Sequence, residues 1–250
     1  MSSLVVPSKL GSLCLKYVNV TVMDIERILL SCSVLENLCI VGGYHLTHIK
    51  LPHSPLELKH LEVSRCPHLL CIDILAPKLV SFIHHGDPVG ELNIRDASFL
   101  SELTIGNGLY IGEVVAPACD SFSKYFSQLK YLSWSLIVNQ SYTVSKFNLG
   151  IDNPRSMKNL THLRISVKSN HDESLLGWAH LIEASPLLQK LHVKFCKCLG
   201  FYYTSQRSIV KHRGRPLMSL KTLQIGGFQG QPIDIEFATH VVENSVMLKR

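Results

Sequence analysis

The sequence predicts an α/β solenoid, with a curved parallel sheet on its concave side and helices and short strands on its convex side. Three observations lead to this prediction. Apolar residues recur at positions 1, 4 and 6 of a short pattern along nearly the whole chain. The copies follow one another at steps of 21 to 32 residues, and the segments between them carry either helical or alternating apolar patterns. Each copy can bury its apolar face only against its neighbours, so the copies must stack.

The repeated pattern reads L-x-x-L-x-L. Positions 4 and 6 alternate as in a strand with one buried face, and position 1 precedes the strand in a turn. The spacing is close to that of leucine-rich repeats, and we predict one domain, 1–250, of about nine irregular repeats. The copies, of which the last two are looser, are Leu10/Leu13/Leu15, Leu35/Leu38/Ile40, Leu58/Leu61/Val63, Leu100/Leu103/Ile105, Leu160/Leu163/Ile165, Leu188/Leu191/Val193, Leu220/Leu223/Ile225, Leu79/Phe82/His84 and Leu129/Leu132/Trp134.

The segments between the copies predict three helices and two further strands. Thr21 is expected to cap the first helix, with Asp24 at the capping-box position. The second and third helices are predicted from apolar residues on one face, which are Leu175, Trp178, Leu181 and Ile182 in one and Ile235, Ala238, Val241 and Val242 in the other. Between the copies centred on residues 61 and 103 there is no room for helices, so 69–75 and 90–96 are predicted to be short strands.

Cys66, His68 and Cys71 lie within six positions and raise the question of a metal or thiol site. A zinc site needs four convergent ligands, and no second pair of ligands matches this one. Cys66 instead follows Val63 by three positions, where a leucine-rich repeat has a small buried side chain, and Cys196 is placed in the same way. We therefore predict no metal site and no cofactor. The chain also lacks the H-E-x-x-H, G-x-S-x-G and Walker sequences, so we predict no catalytic residues and no enzyme activity.

Composition indicates a folded chain, because 46% of its residues are apolar and only 18% are charged. No apolar run reaches the length of a membrane span, and the first residues do not form a secretory signal. We therefore expect a cytoplasmic or nuclear protein whose eight cysteines are mostly reduced.

Charge is distributed unevenly, although the whole chain has a net charge of +6. Residues 1–125 contain 9 Lys and Arg against 12 Asp and Glu, whereas 126–250 contain 16 against 7. A basic half can attract an acidic protein, phosphate or nucleic acid, or it can simply be a solvated surface. The segment 201–216 mixes aromatic and basic residues as single-strand nucleic-acid binders do, but a basic surface loop is the preferred interpretation.

The alternation of the strand pattern locates a candidate binding face. If Leu163 and Ile165 are buried, the residues beside them must point to the concave side, and the same holds for the copy that contains Leu191 and Val193. The predicted partner-binding residues are His162, Arg164, Ser166, Lys190, His192 and Lys194.

Three stretches of the sequence, 24–40, 58–87 and 220–249, resemble the leucine-rich repeat region of plant F-box/LRR proteins, including the FBD-type members. The last part, about 216–250, is similar to the FBD-like portion of that family. The resemblance implies repeats that capture a substrate for a cullin-RING ubiquitin ligase, to which an N-terminal F-box would connect them through an adaptor. No F-box sequence precedes Leu10, so the resemblance covers the repeat region only.

These observations predict a non-enzymatic protein-protein interaction module, namely the substrate-recognition region of an F-box-type ubiquitin ligase subunit or an F-box-less relative. The expected partner is a protein substrate of acidic character, with the ligase adaptor as a partner only if an F-box is present elsewhere. No membrane partner is expected, and nucleic acid is disfavoured. The alternative is a binder of an anionic ligand or nucleic acid that uses the basic C-terminal half.

Overall fold

The computed structural model describes residues 9–51, 57–87, 89–106, 122–138, 157–169, 175–176, 179–196, 208–209 and 214–248. The chain divides into two compact units, Met1–Tyr125 and Phe126–Arg250. Because the same boundary separates the acidic from the basic half of the sequence, the first unit has a net charge of −3 and the second a net charge of +9.

The first unit contains eight described strands and one described α-helix. Its elements are β1 (Ser12–Lys16), α1 (Val22–Ser31), β2 (Asn37–Val41), β3 (His48–Leu51), β4 (His60–Ser64), β5 (Cys71–Leu75), β6 (Ser81–His85), β7 (Glu91–Arg95) and β8 (Glu102–Gly106). Two parallel arrays result, one in the order β1-β2-β4-β6-β8 and one in the order β3-β5-β7. The predicted second strands within 69–75 and 90–96 are therefore confirmed as β5 and β7.

The second unit contains four described strands in one parallel array and two described α-helices. Its elements are β9 (Tyr131–Val138), β10 (His162–Ser169), α2 (Ala179–Glu183), β11 (Lys190–Cys196), β12 (Thr222–Gly226) and α3 (Pro232–Asn244). The four strands form a parallel array in chain order. A 3-10 helix, Ser123–Gln128, contains the boundary between the units. No helix among the described residues is both long and apolar enough to span a membrane.

At the start of seven strands, one backbone carbonyl accepts hydrogen bonds from two N–H groups. The carbonyl oxygen of Lys130, just before β9, accepts hydrogen bonds from the backbone N–H groups of Thr161 and His162 at 3.0 and 3.1 Å. The same arrangement starts β2, β4, β6, β8, β11 and β12. Because the paired donors always lie at the same place in the repeat, the strands are aligned copy on copy and Leu163 pairs with Leu191 and Leu132.

A tight turn precedes most of these strands. The N–H of Leu79 donates to the carbonyl of Ala76 at 3.1 Å, and that of Leu100 donates to the carbonyl of Ala97 at 3.1 Å. Leu35, Leu160 and Leu188 make the corresponding bond. The turn brings the leucine at position 1 beneath the strand that follows it, where each of these leucines is buried.

The residue after a strand adopts a left-handed conformation in several repeats. Tyr17, Gly42 and Arg65 have φ values of 53°, 72° and 55°. Their N–H groups donate across to the next strand, as the bond of 2.9 Å from Gly42 to the carbonyl of Ser64 shows. Gly227 occupies this position after β12, where a Cβ atom would lie 2.1 Å from the carbonyl oxygen of Phe195. A side chain at residue 227 therefore cannot be accommodated without a backbone shift.

The predicted strand pattern forms the core. Positions 1, 4 and 6 are buried in seven copies, including the looser ones at Phe82 and Trp134. The exceptions are Leu10 and Leu13 in the first copy and Leu223 and Ile225 in the last, which are half-buried. Their strands, β1 and β12, each pair with a single neighbour, so less apolar surface is available to cover them.

His84 is a polar residue at a core position, between Val63 and Ile105 in the register. Its side chain is 4% exposed. Nδ1 lies 3.0 Å from the carbonyl oxygen of Val63 and Nε2 lies 3.1 Å from that of Asp87. Burial lowers the pKa of this imidazole, although the two carbonyl contacts oppose the shift. The ring is therefore neutral in the folded state at neutral pH.

The first predicted helix is confirmed together with its cap. The N–H of Asp24 donates to Oγ1 of Thr21 at 3.3 Å, and the N–H of Thr21 donates to Oδ2 of Asp24 at 3.0 Å. This backbone hydrogen bond is the main reason that the pKa of Asp24 is lowered. Ile25, Ile28 and Leu29 form the buried face of α1 as expected.

The other two helices differ from expectation. In α2 only Ala179–Glu183 is helical among the described residues; Leu175, Leu181 and Ile182 are buried, and Trp178 lies outside the described residues. Of the predicted apolar face of α3, only Val241 is confirmed as buried; the rest is wrong, because Val242 is exposed and Ile235 and Ala238 are half-buried. The buried residues are Asp234, Glu236, Phe237, His240 and Val241.

Polar partners explain the buried face of α3. Oδ2 of Asp234 accepts hydrogen bonds from the N–H groups of Gln229 and Gln231 at 2.8 and 3.3 Å, which draws the start of the helix inward. Further along, Nε2 of His240 lies 3.9 Å from Oε1 of Glu183 on α2. Hydrophobicity alone could not indicate these contacts, so the periodicity of apolar residues selected the wrong side.

We expect Leu61→Ala to lower the free energy of unfolding by about 2–5 kcal/mol, because Leu61 is 2% exposed and its removal leaves a cavity in the core. His60→Ala, one residue earlier on the same strand but exposed, should cost less than about 0.5 kcal/mol. Chemical denaturation of the two variants checks the register of β4. Equal losses of stability would contradict it.

We expect the protein to lose stability as the pH falls from about 7.5 to about 5, in part because of His84. The unfolded imidazole takes up a proton near its ordinary pKa of about 6.5, whereas the folded one has a lowered pKa and resists protonation. The stability contributed by the neutral ring is thus complete above the unfolded pKa and is lost towards the folded pKa. Denaturation at several pH values should show a smaller loss for His84→Gln than for the wild type. Identical pH profiles for wild type and His84→Gln would rule out this contribution.

Candidate functional site

The structure brings the six predicted partner-binding residues together on two adjacent strands. In the register of β10 and β11, His162 pairs with Lys190, Arg164 with His192 and Ser166 with Lys194. The residues that alternate with them, Leu163, Ile165, Leu191 and Val193, are all buried. The six residues therefore share the opposite side of the strands. We call this set, His162, Arg164, Ser166, Lys190, His192 and Lys194, the basic face.

Exposure within the basic face is graded. The three long cationic side chains, those of Arg164, Lys190 and Lys194, are exposed, and the other three side chains are half-buried. The flanking strands extend the same side with uncharged residues, which are Tyr131, Ser133 and Ser135 on β9 and Thr222, Gln224 and Gly226 on β12. None of these twelve positions carries a carboxylate.

Some cations of the first unit have acidic partners. In the first unit Nζ of Lys59 lies 2.7 Å from Oε1 of Glu36, and Nε of Arg95 lies 3.2 Å from Oδ1 of Asp73. By contrast, Arg164, Lys190 and Lys194 form no ion pair within the described part of the chain. The described residues around the basic face therefore do not neutralise its positive charge.

The pKa of His192 is affected by the positive charges of the basic face. Its pKa is lowered, first by partial burial and then by the positive charges of Arg164 and Lys194. The imidazole is consequently neutral at neutral pH, and it can still gain a proton if an anion approaches. The neighbouring His162 has its Nδ1 2.9 Å from Oγ1 of Thr161, which orients that ring at the start of β10.

The corresponding side of the first unit is internally paired. Cys39 lies between Cys14 and Glu62 in the register, and its Sγ donates to Oε2 of Glu62 at 3.5 Å. Oγ of Ser64 donates to Oε1 of the same carboxylate at 3.0 Å. Burial, followed by the neighbouring Cys14 and Glu62, raises the pKa of Cys39 to about 12. This thiol remains protonated at neutral pH. Cys14 and Cys39, which we call the thiol pair, are register partners. The sequence signal for this pair was a cysteine at position 5 in two successive copies of the pattern.

Cys66, His68 and Cys71 do not converge. Cys66 is buried after β4 and its Sγ donates to the carbonyl of Ser64 at 3.5 Å, which is the turn contact expected of a scaffold residue. Cys71 begins β5 in the other array and donates to Oε2 of Glu91 at 3.3 Å, while His68 is exposed. Burial raises the pKa of the Cys66 thiol. Across the described ranges, no three His, Cys, Asp or Glu side chains are grouped as metal ligands.

Two other sequence interpretations have different outcomes. Cys196 is the last residue of β11 and is half-buried, so its assignment to the same turn position as Cys66 is wrong. β11 is longer than β4, so the residue three positions after Val193 is still in the strand, whereas the one three positions after Val63 lies in the turn.

Of the basic residues in 201–216, Arg207, Lys211 and Arg213 lie outside the described residues. Arg215 is exposed, and its backbone N–H donates to Oε1 of Glu183 at 3.1 Å.

Parallel strands formed by L-x-x-L-x-L copies, with positions 4 and 6 buried and a polar opposite side, define a leucine-rich repeat domain. The chain matches the family described as "At1g61320/AtMIF1, LRR domain" over residues 2–250. It therefore belongs to this family of plant leucine-rich repeat domains. No curated protein matches the chain.

Proposed function

We propose that the chain is a non-enzymatic protein-interaction module in which the basic face binds an acidic segment of a partner protein. Leucine-rich repeat domains generally bind proteins, and the side of the sheet away from the core is the extended surface that stacked repeats offer. The observation that carries the proposal is the alignment of Arg164, Lys190 and Lys194 on adjacent strands, with no carboxylate at the register positions on the same side of the described strands β9–β12.

The energetics favour an acidic partner. Like charges on neighbouring strands destabilise a sheet, and for exposed groups each such contact costs about 0.2–1 kcal/mol. The fold tolerates this cost because Arg164, Lys190 and Lys194 are exposed to water. A carboxylate-rich segment would remove the repulsion and also pair with the cations, so complementary charge would select the partner and speed its association.

The biological setting that we propose is substrate recognition for a ubiquitin ligase. The resemblance of 24–40, 58–87 and 220–249 to F-box/LRR proteins supports a substrate-binding role, either in an F-box-type subunit or in an F-box-less relative. In the first case the ligase adaptor would be a second partner through an F-box elsewhere. We place this role in the cytoplasm or nucleus.

A second candidate function is the binding of an anionic ligand or nucleic acid by the basic face. The same absence of carboxylates from this face favours it. The two functions differ in their dependence on salt, because each phosphate contact releases counterions and makes binding to nucleic acid weaken steeply as the salt concentration rises. Protein binding that also buries apolar surface should weaken less.

Reversing the charge of Arg164, Lys190 and Lys194 to Glu should abolish capture of protein partners from a cell extract, because the variant then repels an acidic segment. The matched control reverses Lys130, Lys158 and Lys221, which are equally exposed, belong to the same unit and lie outside the basic face. Both variants change the net charge by the same amount, so only the location of the charge differs. Quantitative mass spectrometry of the captured proteins compares them, and circular dichroism checks that both remain folded.

Partners retained by the wild type and the control but lost from the basic-face variant would support the site. Equal capture by all three proteins would refute it. A parallel capture with an F-box joined to the chain asks whether the ligase adaptor co-purifies along with the same substrates. Recovery of the adaptor without any substrate that depends on the basic face would argue against the ligase role.

A further inference from the structure

We infer that the basic face receives a phosphorylated side chain of the partner protein, with the phosphate seated over Arg164 and His192. This inference rests on the proposed function, because it specifies which acidic segment the basic face binds. It is drawn from three features of the described strands, which are the arrangement of the cations, the neutral donors around them and the protonation of His192.

The cations surround one point of the sheet. Arg164 and His192 are register partners on adjacent strands, about 4.8 Å apart at the backbone. Lys190 and Lys194 lie two residues before and two residues after His192, about 6.6 Å along the strand in each direction. Both lysines are exposed on flexible stems, so both ammonium groups can reach a ligand that sits over His192.

This arrangement fits a dianion better than a single carboxylate. A carboxylate carries one charge and can pair with one or two of the three fixed cations, which leaves the remainder repelling one another. A phosphorylated side chain carries about −1.5 to −2 at neutral pH and presents three acceptor oxygens. The Arg164 guanidinium can bind two of these oxygens through its planar fork while the lysines approach the third.

Neutral donors surround the same point. Ser133 on β9 is the register partner of Arg164, and Gln224 on β12 is the register partner of His192. Ser166 is half-buried two residues beyond Arg164 on the same side of β10. Hydroxyl and amide groups can donate to phosphate oxygens without adding charge. The side of the sheet around Arg164 therefore supplies both the charge and the hydrogen bonds that a phosphate needs.

His192 makes the binding dependent on pH. The charged groups that face it are Arg164 from β10 and Lys190 and Lys194 from its own strand; β10 also contributes the titratable His162, and β12 contributes the neutral Gln224. In the free protein its pKa is lowered, so the ring is neutral at neutral pH. A dianion beside the ring raises the pKa of His192. The complex therefore takes up a proton on this ring, and a lower pH favours the bound state. Affinity should increase from about pH 8 to about pH 6.5, above the point at which the phosphate itself is protonated at about pH 6.

Degenerate peptide libraries test the inference without knowledge of the partner sequence. Three libraries share the same random flanking positions and differ only at the central residue, which is phosphoserine, Glu or Ser. The full chain is immobilised, and retention of each library is measured by mass spectrometry in the presence and absence of a single-stranded oligonucleotide as competitor. We expect the phosphoserine library to be retained at least about tenfold more than the Glu library, and the Ser library to be retained at background.

Two variants make the test specific. Arg164→Lys retains the charge but loses the planar fork, so it should reduce the preference for phosphoserine over Glu while retention of the Glu library changes little. His192→Gln should remove the increase in phosphoserine retention between about pH 8 and about pH 6.5. Lys158→Gln, an exposed change outside the basic face, should alter neither.

The outcomes separate this inference from the proposed function. Equal retention of the phosphoserine and Glu libraries would overturn the inference and leave an acidic-segment site in place. If a small amount of bound oligonucleotide displaces all of the retained peptide, the inference would be overturned in favour of nucleic-acid binding. Background retention of all three libraries would also overturn it, and the proposed function would then be judged by the charge-reversal capture alone.

Discussion

The structure depends on the burial of two alternating side chains in the inner strands of the main arrays, where one carbonyl accepts hydrogen bonds from two N–H groups at the start of the next strand. A shift of one residue in any strand would expose both core residues and bury a polar pair, so the register is strongly fixed. His84 occupies a core position in this pattern, where one ring N–H can donate to a backbone carbonyl oxygen, either that of Val63 or that of Asp87. The basic face follows from the same alternation.

The two units differ on the opposite side of their strands. In the first unit three polar side chains on that side satisfy one another, since Cys39 and Ser64 both donate to the carboxylate of Glu62. In the second unit the register places Arg164 beside His192, and none of the strand positions that face the same side in β9–β12 carries a carboxylate. A similar scaffold thus carries a carboxylate on this side of one unit and a cluster of cations on this side of the other.

Most of the fold could be predicted from the sequence, because the spacing of apolar residues directly states which side of each strand is buried. The strands around residues 61–103 and the cap formed by Thr21 and Asp24 followed from local rules. The buried face of α3 could not be predicted, since Asp234 and His240 turn inward to polar partners that are distant in sequence or set by backbone geometry. The placement of the basic face followed from register, whereas the thiol pair required knowledge of which copies are adjacent.

The titration of His192 tests the central claim most directly, because its pKa is lowered first by partial burial and then by the cation that the register places on the neighbouring strand. Nuclear magnetic resonance of the labelled imidazole should show a pKa below the ordinary value of about 6.5, and Arg164→Gln should raise it. Lys158→Gln, away from the basic face, should leave it unchanged. A pKa at or above the ordinary value, or one that does not respond to Arg164→Gln in a folded variant, would contradict the register and with it the basic face.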